Sequence, residues 1–188
     1  MYFLALFCLV VLATTLVAVE GRGGSSPKQP NEKQVKYLKR TGQKYLDEQA
    51  QREGVFKLKS GMLVEFIKSA TDESAKSPLQ YDSCEVTYSG TLKDGTKFDS
   101  GTTSFSPGQV IKGWTEAMQL MVEGDKWKLF IPYNLAYGEG GSPPKIGPYA
   151  PLVFDIEIHK VKSSGGKTFA EARKAFADAL DGAKPAEL

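Results

Sequence analysis

The sequence contains few of the side chains on which most enzyme active sites depend. It has one histidine among 188 residues, and this residue, His159, lies beside Lys160 in an alternating, strand-like run. A Ser-His-Asp or Cys-His set needs its histidine in a pocket beside a nucleophile, so we expect no such set. Histidines, cysteines and carboxylates also fail to cluster at metal-ligand spacing. The sequence therefore disfavours a hydrolase, acid–base catalysis and a metal site.

Nucleotide and nucleic-acid binding lack support for a different reason. The net charge is only +2 at pH 7, and charges of both signs are mixed along the chain, so no basic patch is evident. The glycines of GEGG at 138–141 lack the strand-to-helix context and the lysine of a phosphate-binding loop. We expect neither a nucleic-acid partner nor a cofactor.

Long apolar runs are absent except at the N-terminus. Residues 2–19 are apolar apart from two threonines, and small or acidic residues follow. This pattern predicts a signal peptide at 1–21 and a secreted protein, extracellular or periplasmic, although the usual leading Lys or Arg is missing. An uncleaved membrane anchor is the alternative, because about 18 apolar residues just span a bilayer. Cleavage would remove Cys8 and leave Cys84 as a buried thiol without a disulfide partner.

Helices are predicted on either side of a central region. Residues 22–54 hold a linker and a helix with Asn31 as N-cap and Gly54 as C-cap, weakened by Gly42. Its apolar stripe is thin, so it is either a stalk that binds a partner or a solvated helix leaning on the domain. Residues 163–188 hold a linker and a short helix. That helix places four apolar residues on one face: Phe169, Ala172, Phe176 and Leu180.

The central region, residues 55–162, alternates as β-strands do, and Asp94-Gly95 marks a tight hairpin. One helical pattern interrupts it, from Val110 to a cap at Gly124, after a loop containing Pro107 and Gly108. Because the strands are close in sequence, hairpins suffice and crossover helices are not needed. We predict an α+β domain in which an antiparallel sheet curls over a single helix.

Aromatic and branched side chains occur at the element ends and in the loops of this region. Trp114, on the first turn of the central helix, is either an ordinary core residue or the floor of a site. Tyr137 and Ile146 lie in a Gly/Pro-rich loop at 134–150, which is longer than most connections. Together these residues suit an apolar cup with a few polar tips. The other members are Tyr88, Phe98, Phe105, Val110, Ile111 and Phe154, with Asp99 as a second polar tip.

One reaction needs little more than such a cup. Rotation about an Xaa-Pro bond has a barrier of about 18–20 kcal/mol because of amide resonance, which separates charge. Water stabilises the planar, charge-separated amide, and a dry aromatic pocket removes that stabilisation. A pocket that binds the twisted amide better than the planar one therefore accelerates isomerisation without an acid, base or nucleophile.

Four segments, in this order, resemble the FKBP-type peptidyl-prolyl cis-trans isomerases. They are VTYSGTLKDGTKFDS at 86–100, QVIKGW at 109–114, LAYG at 135–138 and LVFDIE at 152–157. The preceding helix and the residues after Trp114 look most like the macrophage infectivity potentiator branch. The resemblance implies a five- or six-stranded antiparallel sheet wrapped around one short helix. It also implies rotamase activity on proline-containing polypeptides and binding of macrolides of the FK506 or rapamycin type.

The resemblance also implies a role for each residue of the cup. Trp114 would lie under the proline ring, and Ile146 would cover the site. The Asp99 side chain would face the substrate carbonyl or a polar group of a macrolide, and the Tyr137 hydroxyl would bind the substrate backbone. The Ile111 backbone N–H would anchor a ligand carbonyl. The walls would be Tyr88, Phe98, Val110, Ile111 and Phe154, with Phe105 and Gln109 as further substrate-binding residues.

Some positions depart from the family pattern. Thr103 and Ser104 stand where many members carry another aromatic, so that wall is expected to be open. Gln109 replaces a common glutamate, and Tyr149 stands near a position that is often histidine. Bacterial relatives of the infectivity branch carry a dimerisation domain before the stalk helix, whereas here about ten residues separate the predicted signal from the helix. We therefore predict a monomer.

Two further alternatives remain at the level of the sequence. The domain is either an active isomerase or a non-catalytic module that holds clients or a receptor through the cup or the N-terminal helix. The resemblance also suggests a role in host-cell invasion, by analogy alone.

Overall fold

The computed structural model describes residues 30–162 and 166–182. The predicted signal peptide, with Cys8, lies outside these residues. Six antiparallel strands form one sheet in the order β1-β2-β5-β6-β3-β4. The predicted α+β fold with an N-terminal and a C-terminal helix is confirmed. The strands are β1 (Val55–Lys57), β2 (Leu63–Lys68), β3 (Ser83–Leu92), β4 (Lys97–Phe105), β5 (Lys126–Ile131) and β6 (Leu152–Lys162), and the helices are α1 (Glu32–Ala50), α2 (Lys112–Met118) and α3 (Phe169–Ala179).

The main core lies on the inner face of the sheet. Side chains alternate along the strands as the sequence predicts, so that Cys84 and Val86 of β3 point inward with Ile156 and Ile158 of β6. Trp114, Ala117 and Met118 of α2 pack onto this face. The free thiol of Cys84 is buried, and burial, followed by the charges of Asp82 and Glu123, raises its pKa to about 12.

The central helix is shorter than the sequence pattern predicts. It begins after Ile111, whose backbone is extended, and a single 3-10 turn at Pro107–Gln109 replaces the predicted irregular loop. It ends at Met118, so the prediction of a C-cap at Gly124 is wrong. Residues 120–122 are buried one after another, and no single helix face can bury three consecutive side chains. Gly124 instead forms the turn into β5, with φ +88°, and its N–H donates to Ile158 O.

The N-terminal helix packs on the outer face of the sheet. Asn31 and Gln34 form a reciprocal capping box, as the N-cap prediction requires. The helix ends at Ala50, and the C-cap prediction at Gly54 is wrong because Gly54, at φ +78°, belongs to the following turn. Leu46 of α1 is buried in a small outer cluster, which favours a helix that leans on the domain over a free stalk. The cluster consists of Leu46, Leu63, Phe130 and Val153.

The C-terminal helix completes the inner core. Thr168 and Glu171 cap its first turn reciprocally. Phe176 and Leu180 are buried in the main core on the inner face, which also contains Trp114, as the predicted apolar face requires. The predicted boundaries at 22–54, 55–162 and 163–188 stay predictions, but α3 shares its core with the sheet.

Among residues 30–162 and 166–182, no helix has the length and apolar character needed to cross a bilayer.

Candidate active site

Trp114 lies at the centre of a ring of aromatic side chains on the inner face. Its indole is only 3% exposed. The ring centroids of Tyr88, Phe105 and Phe154 lie 5.3, 5.6 and 5.1 Å from that of Trp114, at interplanar angles of 75°, 86° and 84°. Edge-to-face packing of this kind is favoured by the aromatic quadrupole. All three neighbouring rings therefore stand nearly perpendicular to the indole plane.

The register of three neighbouring strands places these rings together. Gly90 of β3 stands opposite both Phe154 of β6 and Asp99 of β4. A Cβ atom at Gly90 would lie 2.6 Å from Phe154 and 2.7 Å from Phe98, so no larger residue fits without moving one ring. The two phenylalanines meet there at 5.4 Å and 88°. The sequence analysis missed this supporting role of Gly90, although a glycine inside a strand signals such close approach.

A polar pair lies at the edge of the aromatic ring. The Tyr88 hydroxyl donates to Asp99 Oδ2 at 3.0 Å, and the Ser100 backbone N–H donates to Oδ1 at 2.9 Å. Burial, followed by the hydrogen bond and the charge of Asp99, raises the Tyr88 pKa to about 12. The Tyr88 hydroxyl therefore remains a donor throughout the neutral range. Asp99 is held in place by two donors and turns acceptor oxygens toward this edge.

The loop between β5 and β6 forms the rim. Ile146 is buried in the main cluster, and the half-buried Tyr137 packs against that cluster. Burial, and then the charge of Asp99, raises the Tyr137 pKa. Lys145 Nζ donates to Phe98 O at 2.9 Å, which ties the tip of the loop to β4. The loop thus brings a phenolic hydroxyl and an isoleucine to the aromatic ring.

The segment before α2 forms the remaining side. Phe105, Val110 and Ile111 are half-buried and pack against the main cluster. Gln109 is exposed, so the structure does not bring its side chain into the cup; its backbone N–H donates to Ser106 O at 2.9 Å. Thr103 and Ser104 are exposed on β4, the edge strand. The other residues assigned to the cup from sequence belong to the main core cluster or pack against it, and Asp99 bonds to Tyr88, which is one of them.

Comparison with known sequences identifies the family to which the chain belongs. The profile described as FKBP-type peptidyl-prolyl cis-trans isomerase matches residues 74–159. The chain is also 42% identical to a macrophage infectivity potentiator of Trypanosoma cruzi over 187 residues, covering 93% of this chain and 94% of that relative. The chain belongs to the family of FKBP-type peptidyl-prolyl cis-trans isomerases. The outer membrane protein MIP of Legionella longbeachae is 39% identical over 70% of this isomerase and 58% of its own length.

Two solved structures resemble the isomerase in fold. A peptidyl-prolyl cis-trans isomerase from Pseudomonas syringae pv. tomato superposes with a TM-score of 0.65 at 32% identity, over 75% of this chain and 100% of that one. FkpA from Escherichia coli gives 0.64 at 34% identity, over 71% of this chain and 63% of its own. The predicted resemblance and the family activity are therefore confirmed, whereas the roles of individual residues stay predictions.

The one histidine of the isomerase lies on the opposite side of the sheet from the cup. His159 Nε2 is 2.7 Å from Thr87 Oγ1, which in turn is 2.7 Å from Thr102 Oγ1, all on exposed side chains. Within residues 30–162 and 166–182, no three His, Cys, Asp or Glu side chains are grouped closely enough to hold a metal ion. The cup itself is apolar apart from two phenolic hydroxyls and one carboxylate.

Proposed function

We propose that this isomerase binds its Xaa-Pro segment in the cup, with the proline ring on the indole of Trp114. The arrangement of Tyr88, Phe105 and Phe154 nearly perpendicular to Trp114 is the observation that supports this most. A flat apolar floor between upright aromatic walls suits a rigid, neutral ring such as that of proline.

The chemistry that follows is differential binding of the twisted amide. The aromatic walls exclude water from the Xaa-Pro carbonyl, which loses the solvation that favours its planar, charge-separated form. Asp99, held by Tyr88 and Ser100, adds negative charge at the edge of the cup. Near the substrate carbonyl oxygen, this charge destabilises the planar amide, whose oxygen is partly negative, more than the twisted one. The barrier falls because the twisted form is bound better.

The polar groups of the rim position the chain on either side of the proline. The raised pKa of Tyr137 keeps its hydroxyl protonated, so it can donate to a substrate carbonyl. We assign the Ile111 backbone N–H to a second carbonyl and Ile146 to the cover of the site. Macrolides of the FK506 or rapamycin type would use the same donors and compete with the peptide.

The test is the cis-to-trans rate of a short Leu-Pro or Phe-Pro peptide with residues 22–188 of this chain. We expect acceleration that an FK506-type macrolide blocks and that Asp99→Ala and Tyr137→Phe each weaken. Matched controls are Asp47→Ala and Tyr37→Phe, which remove the same groups from exposed positions of α1. Unchanged activity in both cup variants would contradict the site assignment. Macrolide binding without acceleration would instead identify a non-catalytic client-binding or receptor-binding module.

We also propose that the protein is secreted after cleavage near residue 21 and acts as a monomer. The relatives named for macrophage infectivity and for the outer membrane support an extracytoplasmic role, and the packing of Leu46 against its own sheet supports a monomer. N-terminal sequencing of the exported protein should begin near residue 22, and small-angle scattering should give a monomer-sized particle. A membrane-retained full-length chain or a dimer-sized particle would contradict these proposals.

A role in infection is the broadest proposal, and it rests on the names of two relatives. A strain lacking the gene should enter or persist in host cells less well than its parent. Restoration by the wild-type gene but not by a Tyr137→Phe gene would connect the defect to the cup, and unchanged infection would remove the proposal.

A further inference from the structure

The N-terminal helix contacts the two ends of the loop that carries Tyr137 and Ile146. Lys39 Nζ of α1 lies 5.8 Å from the ring centroid of Tyr133, where the loop begins, and 4.9 Å from that of Tyr149, where it ends. The two tyrosine rings also pack on each other, at 5.2 Å and 68°. Glu139 Oε1, inside the loop, lies 3.6 Å from the same amino group. One lysine thus bridges three points of the loop.

A second contact lies one helical turn further along α1, on the same face. Gly42 is buried, and a Cβ atom there would lie 3.3 Å from Pro151 Cδ and 3.6 Å from the Tyr149 carbonyl oxygen. The absence of a side chain therefore lets the helix lie directly against the end of the loop. The sequence alone marks Gly42 only as a weak point of the helix, whereas the structure places it against Pro151 and Tyr149.

The loop end held by these contacts has an unusual backbone. Tyr149 adopts φ +56°, a left-handed conformation that a bulky side chain takes only when its surroundings hold it there. Its ring is 8% exposed, packed against Tyr133 and under the Lys39 amino group. These surroundings include two contacts that come from α1 and not from the isomerase sheet.

A short chain of hydrogen bonds connects this point to the cup. The Tyr149 backbone N–H donates to Gly138 O at 3.2 Å, and the Gly138 N–H donates to Tyr133 O at 2.8 Å. Gly138 directly follows Tyr137. A displacement of Tyr149 or Tyr133 therefore moves the backbone on which the Tyr137 hydroxyl depends.

We propose that Lys39 and Gly42 are positioning residues for the isomerase site, and that α1 holds the loop so that Tyr137 lies over the cup. The proposal rests on the role assigned to Tyr137 in the proposed function. It gives a function to a helix that lies outside the matched family region at 74–159. The exposed ion pair with Glu139 contributes little to it, and the two ring contacts and the approach at Gly42 contribute most.

The first test compares two lysines of the same helix. Lys39→Met keeps the length of the side chain and removes its charge, and we expect kcat/KM for a Leu-Pro peptide to fall about three- to tenfold. Lys44→Met is the control: it removes an exposed lysine that pairs with Glu48 on the same helix, and kcat/KM should change less than about twofold. Lys39→Arg keeps the cation over both rings and should retain most of the activity. Gly42→Leu, a good helix former, should also lower kcat/KM by displacing α1 from Pro151.

A double-variant cycle separates positioning from general destabilisation. If Lys39 acts through Tyr137, Lys39→Met should change kcat/KM less than about twofold when Tyr137→Phe is already present. An equal loss in both backgrounds would overturn the proposal. Equal activity of the Lys39→Met and Lys44→Met proteins, with Tyr137→Phe clearly impaired, would overturn it while leaving the proposed function intact. If Tyr137→Phe itself has no effect, the role assigned to Tyr137 and this inference both fail, whereas the effect of Asp99→Ala still tests the rest of the site.

Discussion

The inner core contains two clusters built alike, each centred on a tryptophan. Around Trp127, the rings of Phe66 and Phe176 lie at 4.9 and 5.2 Å and at 77° and 68°, much as Tyr88 and Phe154 lie around Trp114. Both indoles are almost fully buried, and neither Nε1 has a hydrogen-bond partner within the described residues. Ring geometry and an unpaired indole N–H are therefore common to both clusters and do not by themselves mark a site.

The clusters differ in what covers them. α3 covers the Trp127 cluster with Phe176, and Arg173 fastens the helix by two hydrogen bonds to the fully buried Asp125. The Trp114 cluster is bordered by a loop, and its polar groups, Asp99 and the hydroxyls of Tyr88 and Tyr137, face the cup edge. The same aromatic arrangement is closed by a helix in one cluster and bordered by a loop and a few polar atoms in the other.

The largest expected effect is a loss of stability when Phe176, which covers the Trp127 cluster, is truncated. Phe176→Ala should lower the free energy of unfolding by about 3–5 kcal/mol, because it opens a cavity between Phe56, Phe66 and Trp127. Urea unfolding measures the loss. The kcat/KM of the protein that remains folded should stay within about twofold of wild type, since the Trp114 cluster is untouched. A large fall in the kcat/KM of Phe176→Ala protein that is fully folded would show that the two clusters are not independent.

The next largest effect is expected from loss of the ion pair between Arg173 of α3 and the buried Asp125. Arg173→Met leaves the Asp125 carboxylate buried, with the backbone N–H groups of Ala70 and Val122 as its remaining donors among the described residues. We expect the free energy of unfolding to fall by about 3 kcal/mol, as for other buried pairs that lose one partner. Arg40→Met, on the exposed side of α1, is the matched control and should change stability by less than about 0.5 kcal/mol. Equal stability of the two variants would show that the Arg173–Asp125 pair does not hold α3 in place.

A pair of identical substitutions compares the clusters directly. Trp114→Phe and Trp127→Phe each remove part of a buried indole, and each should cost about 1–2 kcal/mol of stability. Only Trp114→Phe should lower kcat/KM, by about tenfold, because only that ring is proposed to touch the proline. Parallel thermal unfolding and peptide assays measure both quantities. Similar kcat/KM values for the two variants would mean that Trp114 is a core residue like Trp127.

The periodic and local features of this fold were predictable from sequence. The inward side of β3 follows from its alternation, and the caps at Asn31 and Thr168 follow from side chains that satisfy free backbone N–H groups. The members of the cup were predicted from aromatic and branched residues at element ends and in loops, whereas their individual roles came from the family resemblance, because β6 is far from β3 and β4 in the chain. Only the register of Gly90 with Phe154 and Asp99 brings them together.

The features that sequence reasoning missed depend on tertiary contacts with no local signature. Gly54 and Gly124 have the positive φ expected of helix caps, yet both helices end several residues earlier and the glycines form turns. The Arg173 and Asp125 pair joins residues 48 positions apart. From the sequence, Lys39 is an ordinary exposed charge on a helix, and its contacts with the loop depend on tertiary structure.

Two groups of β3, Cys84 and Tyr88, give the smallest effect, at high pH. Burial is the main cause that raises both the Cys84 and the Tyr88 pKa to about 12, from ordinary values of 9.0 and 10.0. A group whose pKa is raised by folding contributes stability below its unfolded pKa and loses it as pH rises toward the folded value. The melting temperature should therefore decline between about pH 9 and pH 12. Tyr88→Phe should make the decline shallower above pH 10, and Cys84→Ala should do so from pH 9.

Because both groups keep their protons near neutrality, the isomerase rate should be flat between about pH 6 and 8. A rate that titrates in that range would show that a group outside this pair controls the cup.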